Sequence, residues 1–305
     1  MTNAENEKVI CLLCNSEFTV KENTVVSYQK PDQYEIAVGI NEDRYYRKWV
    51  KCSSCSLNFS IYSRPSNAFD YLYENLYRKV GAVPWRKLTT EQTFELVKNL
   101  PSEKSETIYR VNFIKNKISN LTESDLYPAK SRYKLLDIGG ATGTFAYAFK
   151  DEQWESTIID PDDAGKFIQN YNVEFKQGWF TSKSFNFKFD LISIVFVLEH
   201  VVEPSLLLGE IDKSILPDGL VYIEVPDEVA FFKLDPSDDI FNSCHLFMFN
   251  PSSLERLLSQ NNFEIMSLDR TRTVRGHFAL TCLAKPRLAQ QSLSTKQEVS
   301  QCSVV

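Results

Sequence analysis

From Tyr133 onward, apolar and polar positions follow two alternating rhythms. The segments "YKLLDI" (133–138), "ESTIID" (155–160), "FDLISIV" (189–195), "GLVYIEV" (219–225), "FEIMSL" (263–268) and "FALTCLA" (278–284) are short and mostly apolar, which predicts strands. Between them, "DDAGKFIQNY", "PSLLLGEIDKSI" and "PSSLERLLSQN" place apolar residues at helical spacing. Strands that are apolar on both faces and alternate with helices predict an α/β domain around a parallel sheet. Upstream, "EFTV" and "YEIAV" alternate and are expected to be small strands. "TFELVKNL" and "SETIYRVNFIKNKI" have helical spacing, so residues 67–130 are expected to form helices that join two domains and cover a site. The polar, Ser/Gln-rich segment 287–305 is expected to be a disordered tail. No internal repeat is visible.

Composition narrows the class. The chain has 305 residues, 43% of them hydrophobic, which suffices for one large or two smaller domains. A net charge of −6 argues against a protein that grips nucleic acid by neutralising many phosphates. The polar N-terminus "MTNAENEKVI" has no apolar signal segment, and the longest largely apolar run, Leu191 to Leu198, is too short to span a bilayer. The expectation is a soluble, cytoplasmic protein without membrane contact. Nothing in the sequence sets the oligomeric state.

The sharpest local feature is "LLDIGGATGTF", residues 135–145: an apolar run, an acid, then Gly139, Gly140 and Gly143. Ligands of open α/β sheets bind where such a loop meets a helix N-terminus. The spacing fails the dinucleotide pattern G-x-G-x-x-G, and no Lys follows Gly143 as a phosphate loop requires. The segment resembles the first motif of class I S-adenosylmethionine-dependent methyltransferases, D/E-x-G-x-G-x-G, on Asp137, Gly139, Ala141 and Gly143, with the middle glycine displaced to Gly140. The resemblance continues in order over residues 130–285. It implies a Rossmann-like, seven-stranded methyltransferase domain over 131–286. It also implies that Asp160, ending the next strand, binds the ribose hydroxyls of S-adenosylmethionine. Two carboxylate oxygens suit a vicinal diol; the alternative is that Asp160 caps the following helix. Asp137 is expected near the methionine end or orienting the loop. Trp179, Phe180 and Phe196, in turns after strands, are candidates to flank adenine or are core aromatics.

Cys11 and Cys14 form "CLLC", and Cys52 and Cys55 form "CSSC". Two such pairs supply four thiolates, the tetrahedral set that zinc prefers. All three His residues lie beyond position 199, so a closed structural zinc site in a domain over 1–66 is expected. Buried free thiols or a redox pair are the alternatives. "CSSCSLNFSIYSRPSNAFDYLYENLYR" resembles the second knuckle and following segment of a zinc-binding domain that precedes methyltransferase domains in bacterial sugar-modifying enzymes. That implies a sugar or nucleotide-sugar acceptor. The sugar C-methyltransferases among them carry a further C-terminal domain. The pattern here stops near residue 286, so a hydroxyl is expected to be methylated. Tyr71, Tyr73 and Tyr77 read as a packed helix face or a lid.

Methyl transfer to a hydroxyl needs a positioned acceptor and a route for its proton. Glu199 and His200 follow the fourth strand and His245 precedes a late helix. His200 and His245 are therefore the candidate bases, with Glu199 or Glu224 to orient them. His277 reads as packing. The competing functions are an RNA or protein methyltransferase gripping its substrate through the zinc ribbon, and a non-catalytic binding module. The N-P-P-[YF] loop common in amino-group methylation is absent after strand four.

Overall fold

The apolar runs beyond Tyr133 pair into one seven-stranded sheet, as their two-sided hydrophobicity requires. The computed structural model describes residues 7–43, 45–64, 66–77, 79–80, 87–124 and 127–287. Its N-terminal part holds β1 (Lys8–Ile10), β2 (Glu17–Thr19), α1 (Val20–Asn23), β3 (Thr24–Tyr28), α2 (Gln33–Ala37), β4 (Arg47–Lys51) and β5 (Asn58–Tyr62). After α3 (Thr90–Lys98) and α4 (Glu106–Glu123) come β6 (Tyr133–Ile138), α5 (Thr144–Phe149), β7 (Trp154–Asp160), β8 (Glu174–Gln177), β9 (Phe189–Val195) and α6 (Pro204–Ser214). The chain ends with β10 (Ile215–Pro226), α7 (Ala230–Lys233), β11 (Phe247–Met248), α8 (Pro251–Gln260), β12 (Phe263–Arg272) and β13 (Phe278–Pro286).

The large sheet runs β12-β13-β10-β9-β6-β7-β8. Strands β10, β9, β6, β7 and β8 are parallel and β13 is antiparallel to both neighbours. Chain order reverses between β6 and β9, so the loops leaving these two strands flank the crevice where open α/β sheets bind ligands. Leu135, Leu136, Ile192, Ile194, Val221 and Ile223 fill the core between the helical layers. Helix α4 starts at a Ser105 cap and lays Val111, Ile114 and Ile118 against Leu135, Leu191 and Tyr222. Its Arg110 grips Glu224 of β10 through Nε (2.6 Å) and Nη2 (2.7 Å).

Two local expectations change. "YEIAV" is helix α2, not a strand. Asp32 caps it by accepting the Tyr34 and Glu35 N–H groups, and Glu35 closes the capping box. Five residues are too few for periodicity to separate the two states. "DDAGKFIQNY" is helical but tightens to a 3₁₀ form over Asp163–Tyr171. Strand β8, "EFKQ", lies outside the six apolar runs because it is an exposed edge strand. Residues 288–305 of the expected disordered tail lie outside the described residues. No helix among the described residues is long and apolar enough to cross a membrane.

A second sheet, β11-β5-β4-β3, takes three strands from the N-terminal part and one, β11, from the large domain. Phe247 and Met248 pair with Phe59 and Asn58. Buried charges reinforce the junction: Arg64 reaches Glu35 (3.1 Å) and the Ser243 carbonyl (2.9 Å), and Arg47 donates to the Phe241 carbonyl (2.7 Å). The segment 241–248 is thus held by the N-terminal part.

Candidate active site and cysteine cluster

The glycine loop leaves β6 at the reversal point of the sheet. Gly143 caps α5 in the left-handed region (φ +77°), and a Cβ there would stand 2.8 Å from Ile168 Cγ1. A Cβ on Gly140 would meet Asp137 Oδ2 at 2.8 Å. These contacts let the loop lie close over Asp137. That carboxyl accepts a bond from Ser193 Oγ (2.7 Å). Burial pushes its pKa up to about 7, against the lowering effect of the Ser193 bond. Asp160, at the end of β7, accepts the Ala141 N–H at Oδ2 and the Asp162 N–H at Oδ1, both at 3.0 Å. The cap of the next helical turn is Asp162, which accepts the Ala164 N–H. Asp160 is therefore not the helix cap. It ties the glycine loop to the strand beside it through both of its carboxylate oxygens.

The loop after β9 touches the glycine loop: Val197 stands where a Gly139 side chain would go. Phe196 adopts φ +53°, an uncommon backbone state for a bulky residue. The next turn, Leu198–His200, delivers Glu199 and His200. His245 arrives from the segment before β11, and the two His rings lie 4.8 Å apart. Glu199 is fully buried, neither carboxylate oxygen has a hydrogen-bond partner, and burial raises its pKa well above the usual carboxylate value. His245 Nδ1 lies 2.7 Å from the Ile240 carbonyl. His200 Nδ1 lies 3.0 Å from the Cys244 carbonyl and 3.2 Å from the Tyr73 hydroxyl. Carbonyls only accept, so both Nδ1 atoms carry hydrogen and the neutral rings present Nε2 as the basic atom. His200 Nε2 is 3.9 Å from Glu199 Oε1. Burial, then the neighbouring His200, lowers the His245 pKa well below the ordinary value.

The structure thus gathers His200, His245 and Glu199. It assigns Glu224 elsewhere, to Arg110 and the Tyr222 hydroxyl. His277 faces Asp238. Trp179 is half exposed, donates to Glu74 (2.9 Å) and meets the Tyr73 ring edge-on at 6.4 Å. It stands on the His200 side of the crevice. Phe180 packs against the core, and the Phe196 ring faces Arg110 at 5.9 Å. Tyr73, expected on a packed helix face or a lid, lies on a π-helical turn, Leu72–Leu76, and bonds His200. Its only signal was the tyrosine repeat "YLYENLY".

The four cysteines of the N-terminal part converge. Cys11 and Cys55, and Cys14 and Cys52, approach at 3.5 Å between sulfurs, and one sulfur from each lies within 4.8 Å of all the others. The two turns share one geometry. Asn15 N–H bonds Cys11 O and Ser56 N–H bonds Cys52 O; Asn15 and Ser56 take φ +59° and +60°. Zinc–sulfur bonds of about 2.3 Å place tetrahedral thiolates about 3.8 Å apart, so the cluster fits that ion.

Residues 107–268 match the sequence model of a family described as "Methyltransferase domain". That span is more than half of the 305-residue chain. The chain belongs to the methyltransferase domain family. Its methyltransferase domain is built on a Rossmann-like, mostly parallel seven-stranded sheet. The family span takes in α4, which lies within the expected connector 67–130. Among solved structures, the chain is similar to the 1,6-didemethyltoxoflavin-N1-methyltransferase of Burkholderia thailandensis, at 15% identity and TM-score 0.49, over 80% of this chain and 96% of that one. It is also similar to the magnesium protoporphyrin IX methyltransferase of Synechocystis PCC 6803, at 13% identity and TM-score 0.46, over 73% and 98%. A third similar structure is the PH0226 protein of Pyrococcus horikoshii OT3, at 18% identity and TM-score 0.43, over 63% and 99%. Comparison with curated proteins returns no match.

Proposed function

We propose that this methyltransferase acts on a hydroxyl oxygen of a small polyhydroxylated acceptor, a sugar or nucleotide-sugar, and that its four cysteines hold structural zinc. One observation carries the reading: Glu199, His200 and His245 converge beside Val197, which packs on the cofactor loop, and Tyr73, Tyr77 and Trp179 stand around them. Aromatic faces and imidazoles suit a ligand that presents both C–H and O–H groups. The tyrosine-rich stretch is also the one whose sequence resembles sugar-modifying enzymes.

S-adenosylmethionine supplies a methyl group on a sulfonium, ready for displacement. The residues around it divide the remaining work. Asp160 accepts from the ribose diol. Asp137 faces the methionine end. The Glu199–His200–His245 cluster holds the acceptor oxygen and handles its proton. Methyl transfer to a panel of free sugars, nucleotide-sugars and transfer RNA tests the proposal. Label is expected in a sugar-type acceptor, and His245→Asn is expected to lower turnover about 100-fold while leaving S-adenosylhomocysteine affinity intact. Label in the RNA alone would overturn the acceptor assignment.

The raised Asp137 pKa adds a pH dependence. Of its charged neighbours, Asp160, of like sign, raises it further and Arg110, of opposite sign, lowers it. The acid is harder to ionise in the folded chain, so it costs stability as pH rises from about 3.9, its unfolded value, to about 7. A ligand bearing an ammonium group favours the ionised form. S-adenosylhomocysteine affinity is therefore expected to fall as pH drops below about 7, with the slope flattened in Asp137→Asn. Calorimetry across that range decides it, and a wild-type slope equal to that of the variant would refute the role.

A further inference from the structure

The geometry points to a divalent transition-metal site formed by Glu199, His200 and His245, separate from the cysteine cluster and lying in the acceptor crevice. One donor atom from each residue lies within 4.8 Å of the other two. The set is two imidazoles and one carboxylate, which suits zinc, cobalt, iron or manganese rather than magnesium or calcium.

Three features argue for a built site. Glu199 is fully buried, yet neither carboxylate oxygen has a hydrogen-bond partner. A carboxylate in that position is costly unless something cationic meets it. Each His donates Nδ1–H to a backbone carbonyl, Cys244 or Ile240. That is the outer contact that metal-bound imidazoles make, and it fixes the tautomer whose Nε2 can bind a metal. Finally, the two arms are locked together, because the Leu246 N–H bonds the Glu199 carbonyl at 2.7 Å. Metal–nitrogen bonds of about 2.1 Å place donors roughly 3 to 3.5 Å apart, so the set closes by about an ångström on binding. There the ion is a Lewis acid for the acceptor's hydroxyl oxygen. Only this role rests on the proposed acceptor chemistry.

The test is cobalt titration of the untagged, metal-stripped full chain, followed by absorption spectroscopy and metal analysis. The cysteine cluster binds cobalt with a thiolate charge-transfer band. The proposed site is expected to take a further equivalent whose spectrum lacks that band and which excess magnesium does not displace. Glu199→Gln and, separately, His245→Gln are expected to lose this equivalent and keep the thiolate band, which reports a folded chain. Only thiolate-bound cobalt in the wild type would overturn the site, as would a second equivalent that survives both substitutions. S-adenosylhomocysteine binding, measured on the same preparations, tests the cofactor assignment independently of the cobalt count.

Discussion

Asp160→Ala is expected to weaken S-adenosylhomocysteine binding by about 100-fold or more while the chain stays folded. Two hydrogen bonds from the ribose diol to a carboxylate are worth about 3 kcal/mol together at the low end for charged acceptors, or roughly 100-fold in affinity. A second loss adds to this. The same carboxylate accepts the Ala141 and Asp162 N–H groups, so the variant also frees the glycine loop that the ligand needs preformed. Asp160→Asn keeps one acceptor oxygen and turns an amide toward the other N–H, so it is expected to fall between the two. Calorimetric titration reads the affinity, and a urea melt of each variant checks the fold. Binding within about threefold of wild type in the Ala variant would remove Asp160 from the cofactor site.

The large sheet was legible because its strands are apolar on both faces, a pattern that few other environments allow. "YKLLDI" and "FDLISIV" coincide with β6 and β9 to the residue. The glycine loop was legible for a related reason: a backbone turning at φ +69° and +77° with side chains packed close against it favours glycine. Two kinds of feature escaped. Short elements such as α2 depend on a cap and on burial, and five residues carry too little periodicity to announce either. The acceptor side depends on long-range contacts. Tyr73 and His200 are separated by 127 positions, and nothing local to either marks the bond between them. Glu224 shows the same limit from the other side. It stands on a strand flanking the crevice, yet its bidentate Arg110 partner comes from a helix far upstream.

Stripping the proposed zinc from the cysteine cluster, or Cys52→Ser, is expected to abolish methyl transfer while S-adenosylhomocysteine still binds. Structural zinc sites contribute about 10–16 kcal/mol of apparent binding free energy, and β1 to β5 are short strands anchored by the two knuckles. The consequence is carried to the crevice by β5. It pairs with β11 through Phe59 and Phe247, and its Ser60 N–H bonds the Leu246 carbonyl at 2.8 Å. Leu246 directly follows His245, and its own N–H holds Glu199. Loss of β5 therefore unseats His245 from Glu199 and His200. The glycine loop hangs on β6, which pairs with β7 and β9 and with no strand of the N-terminal part. Hydrogen exchange should record this division, with protection lost over 7–64 and 242–250 and kept over 133–195. One core cluster spans both parts, with Val50, Leu57 and Phe59 packed together with Phe247, Phe249 and Leu254. Some loosening of α8 should therefore accompany the loss. Full turnover by the metal-free chain would show that His245 is held without β5, and collapse of all protection at once would show that the two parts fold only as a unit.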